Sequence, residues 1–282
     1  MAAPVDGAVL PCGDRPLPLD RPRVMGVLNV TPDSFSDGGQ FLDLERARSH
    51  ARAMVAAGAD IIDIGGESSR PGADPVPLDA ELARVIPVVE ALAAEVEAPI
   101  SVDTCKPEVM RAAVAAGAGM INDIQALQAP GAPAAAAALG VPVCLMHMQG
   151  RPRTMQEAPA YDDVVADVTG FLEERVAAAE AAGVPRECLL LDPGFGFGKT
   201  LAHNYALLSR LDRVAALGLP VLVGMSRKSM IGELLDRPVT ERLAGSVAAA
   251  AVAVFQGAHI VRAHDVAATA DAVRVAAAAA SA

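Results

Sequence analysis

The chain has 282 residues, of which 52% are apolar, with 24 Gly and 21 Pro and a formal net charge of −11. No apolar run approaches the roughly 18 residues of a membrane span, and an acidic surplus excludes sequence-independent nucleic-acid binding, which needs excess Lys and Arg to displace counterions. Cys12, Cys105, Cys144 and Cys188 lie too far apart for a zinc knuckle or a CxxC pair, and residues 1–22 lack a basic start followed by an apolar segment, so no secretory leader is expected and a cytoplasmic address follows.

Eight short aliphatic runs bounded by turn residues follow one another: Val24 to Asn29, Asp60 to Gly65, Pro99 to Asp103, Gly119 to Asp123, Val141 to Met146, Cys188 to Asp192, Pro220 to Met225 and Ala258 to Ala263. Their nearly continuous apolar character predicts strands buried on both faces, as in a parallel sheet under helices. Helical periodicity fills the gaps, over Leu44 to Ala57, Asp79 to Glu95, Pro107 to Ala116, Val164 to Ala182, Tyr205 to Leu217 and Glu241 to Gln256, with a short helix in Pro130 to Leu139 and a last one from Val266. Several stop at Gly (Gly58, Gly117, Gly183, Gly218, Gly257), where a left-handed cap costs least. Eight β-α units over about 240 residues predict an α/β fold of the (β/α)8, or TIM-barrel, type. Residues 24–282 are expected to form one barrel domain, with residues 1–23 as an extension packed on it; residues 147–163 form a long polar connection.

In such barrels chemistry sits at the C-terminal strand ends and the loops beyond. Those ends deliver Asn29 and the polar loop Thr31 to Gly39, Gly65 to Gly72, Asp103 to Lys106, Asn122-Asp123, Met146-His147, Asp192 to Lys199, Gly224 to Ser229 and Arg262 to Asp265. The chain has only three lysines against twenty arginines, and all three (Lys106, Lys199, Lys228) fall just past strand ends, which reads as a site signal, strongest at Lys228 and weakest at Lys106. Gly194 to Thr200 looks like a phosphate loop, but Pro193 stands where the Walker spacing needs Gly, and GxGxxG is not formed either. A Schiff-base role for Lys228 is the competing reading; its neighbours Arg227 and Ser229 suit a bound anion better.

Asp103, Asn122, Asp192 and Lys228 come from four strand ends and offer two carboxylates, an amide and an ammonium, a hydrogen-bonding set for a flat heterocycle such as a pterin or guanine. Ser69, Arg70, Arg262 and His264 are donors for phosphate oxygens. Asn29 adds a hard oxygen ligand of the kind that holds Mg2+ on a diphosphate. Asp33 and Asp265 read equally well as helix N-caps.

At these residues the sequence resembles the dihydropteroate synthases. Gly26 to Gly39, Asp63 to Ala73, Ser101 to Thr104, Ile121 to Asp123, Leu191 to Lys199, Ser226 to Ser229 and Arg262 to Val266 match seven family motifs in order. The resemblance implies a transferase that joins 6-hydroxymethyl-7,8-dihydropterin diphosphate to 4-aminobenzoate, yielding 7,8-dihydropteroate and diphosphate with Mg2+ as cofactor. It implies that Asp103, Asn122, Asp192 and Lys228, bordered by Met146 and Gly224, hold the pterin. Arg262 would cover its face and, with His264, Asn29 and the loop of Ser69 and Arg70, handle the diphosphate, while Pro71, Phe197 and Ser229 border the aminobenzoate. Asp33 and Phe35 belong to a loop implied to close over the site. Asp103, Lys228, Arg262, His264 and Asp33 are the implied catalytic set, Asn29 the implied metal ligand and a homodimer the implied assembly, with small molecules rather than nucleic acid or membrane as partners. The family pattern Ser-Thr-Arg is here Ser68-Ser69-Arg70, which keeps the hydroxyl and loses a methyl. A corrinoid-dependent methyltransferase barrel would share the pterin pocket but not the Asn29 to Gly39 loop or the Ser226 to Ser229 run; a silent pterin-binding paralogue would keep the pocket alone.

Overall fold

The computed structural model describes residues 8–31, 39–68 and 72–281. A two-stranded antiparallel hairpin, β1 (Val9–Leu10) and β2 (Leu17–Pro18), precedes eight parallel strands: β3 (Arg23–Asn29), β4 (Ile61–Gly65), β5 (Ile100–Asp103), β6 (Met120–Asp123), β7 (Val143–Met146), β8 (Leu189–Asp192), β9 (Leu222–Gly224) and β10 (Ile260–Ala263). Neighbours run β8-β7-β6-β5-β4-β3-β10-β9. The remaining edge closes through a parallel bridge between Leu191 and Val221, with Leu191 N–H donating to the Pro220 carbonyl at 2.9 Å. That bridge joins the two ends of the eight-stranded sheet into a barrel, and each of the eight expected strands is present.

Helices α1 (Gly39–Ala56), α2 (Leu78–Ala93), α3 (Pro107–Ala115), α4 (Ala132–Leu139), α5 (Val164–Ala181), α6 (Leu201–Ser209), α7 (Asp212–Ala215), α8 (Ser229–Leu235), α9 (Leu243–Phe255) and α10 (Val266–Ala280) form the outer ring. The five glycines expected to end helices all lie at positive φ, between 76° and 110°. Two local expectations change. The helix expected over Tyr205 to Leu217 is divided, because Arg210 leaves the helical region at φ −124° and ends α6. Helix α8 was not expected: its seven residues are too few to show a 3.6-residue period against the motif that precedes them.

The core has two parts. Aliphatic residues between strands and helices form the larger one. The smaller fills the N-terminal end of the barrel, where Met25, Ile61, Met120, Cys144, Leu190, Leu222 and Ile260 meet Leu10, Cys12, Leu17 and Leu19 of the hairpin segment. The hairpin lies so close that a Cβ on Gly119 would come within 2.6 Å of the Cys12 carbonyl oxygen. Each fully buried Leu, Ile or Met there stabilises the fold by roughly 1.5–3 kcal/mol.

Candidate active site

Side chains alternate across a strand, so the residue two positions beyond a floor residue also points into the barrel. The apolar floor thus gives way, two residues later on the same strands, to Asp63, Asn122, Met146, Asp192, Gly224 and Arg262; Asp103 follows Ser101 in the same way on β5. One ring of strands carries an oil-like layer at one end and a charged layer near the other.

Arg262 organises the charged layer. Its Nε donates to Asp63 Oδ2 at 2.6 Å and its Nη2 to Asp103 Oδ2 at 3.1 Å, while Asn122 Nδ2 donates to Asp63 Oδ2 at 3.2 Å. Asp63 is wholly buried, and a buried carboxylate persists only with such partners. Burial pushes Asp103 up to about 7; Arg262 opposes this, and Asp63, Asp123 and Glu81 add to it. The Asp63 Oδ1, Ser101 Oγ and Asn122 Oδ1 atoms are buried with no hydrogen-bond partner among the described residues, so polar capacity remains at the cavity floor.

Lys228 enters from the segment after β9. Its ammonium donates to the Phe195 carbonyl at 2.5 Å and stands 4.5 Å above the centroid of the Phe197 ring. Burial lowers its pKa to about 8, against the attraction of Asp192. Burial raises the Asp192 carboxyl, countered by Lys228, and Asp192 Oδ1 accepts from Gly194 N–H at 2.7 Å. Arg227, just before Lys228, takes a left-handed φ of 60° that a side chain disfavours. Its backbone is held by Ser246 Oγ and the Arg242 guanidinium, and its own guanidinium pairs with Asp265. Asp265 does stand at the N-cap position of α10, but its carboxylate caps nothing and serves Arg227 instead.

The other two lysines are supports. Lys106 pairs with Glu67 and with the fully buried Glu81, which also accepts from Thr104 Oγ1 at 2.6 Å. Lys199 is buried beneath the glycine-rich segment, within 2.9 Å of the Gly194 carbonyl and of His147 Nδ1. Burial lowers Lys199 to about 7 and His147 to about 3.

Among the expected anion-binding groups, His264 sits after β10, with its N–H and Nδ1 each 3.2 Å from Ser226 Oγ. Asn29 ends β3, half-buried at the open end. Met146 and Phe197 pack together with Met155, and Gly224 lets Arg262 and the Lys228 ammonium approach, each within 4 Å of where its Cβ would be. Ser229 is exposed at the start of α8. Asp33, Phe35, Ser69, Arg70 and Pro71 lie outside the described residues. No group of three or more His, Cys, Asp or Glu suited to a metal occurs among the described residues. Asp63 was overlooked as a site residue, although a single carboxylate inside Ile61-Ile62-Asp63-Ile64, two positions before the strand end, was signal enough.

Residues 25–264 match the model of a family described as pterin binding enzyme. The chain is 61% identical over 259 residues to a dihydropteroate synthase of Escherichia coli strain K12, covering 92% of each. It is similar to the solved structure of Xanthomonas albilineans dihydropteroate synthase with 4-aminobenzoic acid, with a TM-score of 0.91, 59% identity and coverage of 95% of this chain and 97% of that one. The same bacterial enzyme in complex with 7,8-dihydropteroate matches with a TM-score of 0.86, 56% identity and the same coverage.

Proposed function

Because the chain belongs to the pterin-binding enzymes and, within them, to the dihydropteroate synthases, we infer that the charged end of its barrel condenses 6-hydroxymethyl-7,8-dihydropterin diphosphate with 4-aminobenzoate, giving 7,8-dihydropteroate and diphosphate. The reading of the individual residues rests on one observation: Asp63, Asp103, Asn122 and Arg262 form one hydrogen-bonded cluster at the end where Asp192 and Lys228 also arrive.

Asp192 and Asn122 present acceptors and donors to the amino-amide edge of the pterin, and Lys228 donates to its carbonyl. A site whose buried polar groups go unpaired with the wrong ring rejects that ring by orders of magnitude. The bond between the pterin methylene carbon and the diphosphate oxygen breaks, its electron pair leaving with diphosphate. The arylamine nitrogen forms the new C–N bond and releases one proton to the departing diphosphate or to water. Asp103 and Asp63 face the cation that develops on the ring, while Arg262 and His264 face the departing anion, so the catalysis is electrostatic and uses fixed groups. No covalent enzyme intermediate is required, and the ammonium of Lys228 serves recognition rather than Schiff-base formation.

Mg2+ fits the residues present. Asn29 offers an amide oxygen at the open end that takes no hydrogen bond from the described residues, and Mg2+ typically uses few protein ligands alongside substrate phosphates. When bound, the ion would neutralise charge on the diphosphate. Asp33, Phe35, Ser69, Arg70 and Pro71 keep the closing and anion-binding roles that the resemblance gives them, and Phe197 and Ser229 the border of the aminobenzoate.

No helix among the described residues is long and apolar enough to cross a membrane, and we take the compartment to be the cytoplasm and the partners to be small molecules. Leu234, Leu235, Val239 and Leu243 expose 45–55% of their surface around α8 and the start of α9, and this apolar area is the face we assign to a homodimer.

The test is turnover: the purified protein with the pterin diphosphate, 4-aminobenzoate and Mg2+ is expected to release diphosphate in equal amount to dihydropteroate. Tight pterin binding without release of diphosphate would sink the reading in favour of a binding module.

A further inference from the structure

The segment Gly194–Gly198 makes no regular structure, yet each of its five carbonyls accepts a side-chain hydrogen bond. The Gly194 and Phe197 carbonyls take Lys199 Nζ at 2.9 and 3.0 Å, Phe195 takes Lys228 Nζ at 2.5 Å, Gly196 takes Gln156 Nε2 at 2.6 Å and Gly198 takes Tyr161 Oη–H at 2.7 Å. Gly196 N–H is also held, by Asn204 Oδ1 at 2.7 Å. Two of these donors, Gln156 and Tyr161, come from the long polar connection after β7, whose Met155 also packs against Phe197.

Among the described residues, Lys199 alone donates to two carbonyls of this segment. It ties them to the neighbouring strand end through His147, whose Nδ1 lies 2.9 Å away. The approach is tight: a Cβ on Gly194 would lie 1.8 Å from the His147 carbonyl oxygen, so no other residue fits there. Lys199 is 3% exposed, which makes its ammonium a poor candidate for substrate contact and a costly group to bury without a role. What it fixes is the perch of Lys228, because Phe195 supplies the carbonyl that Lys228 binds and Phe197 the ring beneath it.

We propose that Lys199 is a positioning residue that acts through Lys228: by clamping the Gly194 and Phe197 carbonyls to His147, it sets the Phe195 carbonyl and the Phe197 ring that orient the Lys228 ammonium toward the pterin. The inference rests on the reading of Lys228 as a pterin-holding group. A site of this kind gains from groups held by a rigid surround rather than ordered anew at each binding event.

A double-mutant cycle tests it, with dihydropteroate as the calorimetric probe on Lys199→Met, Lys228→Met and the double variant. Lys199→Met is expected to weaken binding about tenfold, the effect of losing one well-placed charged hydrogen bond, and the double variant to bind no more weakly than Lys228→Met alone, because both changes remove one effect. In 15N spectra of the wild type, His147 is expected as the neutral Nε2–H tautomer, with Nδ1 accepting from Lys199; that Nδ1 signal should move in Lys199→Met. Additive losses in the cycle overturn the proposal, as does unchanged binding in Lys199→Met. If Lys228→Met itself binds normally, the underlying reading of Lys228 fails instead. Should Lys199→Met not fold, Lys199→Gln, which keeps two N–H donors, takes its place, and failure of both to fold marks a residue needed by the whole barrel and overturns the positioning role.

Discussion

The two ends of the barrel are built from the same strands and differ in almost everything else. At the N-terminal end, Met25, Ile61, Met120, Leu190, Leu222 and Ile260 are each no more than 1% exposed and are sealed by the hairpin segment. Toward the C-terminal end, the same alternation presents Asp63, Asn122, Asp192 and Arg262. The first region is stabilised by loss of apolar surface and is indifferent to orientation. The second holds carboxylates and cations at high electrostatic cost, and its partners must stay within hydrogen-bond distance to offset that cost. Stability and chemistry are therefore separated along the strand by two residues, about 7 Å at the usual strand rise.

The separation can be broken most severely at Arg262. Arg262→Met is expected to lower kcat/KM by about 10³-fold or more in steady-state assays, and to cost about 3–5 kcal/mol of stability by leaving Asp63 and Asp103 without their cation. A variant with near-normal kcat/KM would show that the charged layer does not serve the reaction. At the opposite end, Leu190→Ala is expected to cost about 2–5 kcal/mol in denaturant unfolding while both KM values stay within twofold. A large change in KM there would mean that the floor shapes the site after all. The smallest effect concerns pH. Asp103, raised to about 7, must be ionised to face a developing cation, so kcat/KM should fall as pH drops through about 7; Lys228, lowered to about 8, must be protonated to donate, so kcat/KM should fall again as pH rises through about 8. The outcome is a narrow bell, and Asp103→Asn should flatten its acid limb while lowering its height; an acid limb that survives unchanged would assign it to another group.

Much of this was legible in the residues because parallel barrel strands must be apolar on both faces, so any polar residue at a strand end stands out. Asp103, Asn122, Asp192 and Arg262 were visible on that ground. Asp63 does not stand out in this way, because it lies two positions before the last residue of its run, where the inward register still reaches. Lysine scarcity pointed to three positions, but scarcity marks places where a compact charge is needed and does not say for what. Only Lys228 stands in the charged layer, while Lys106 pairs with Glu67 and Glu81, and Lys199 caps carbonyls. The side-chain partners, Glu67 and Glu81 for Lys106 and His147 for Lys199, lie 25 to 52 positions away, and nothing local encodes them. The hairpin β1–β2 was equally silent, since two strands of two residues leave no period to read.

The plug formed by Leu10, Leu17 and Leu19 gives the barrel the shape of a cup rather than a pipe. Among the described residues the N-terminal end is filled, which leaves the C-terminal end for traffic. When two ligands share such a vessel, they queue along its axis and the one seated deeper enters first; once joined, the two leave as one molecule.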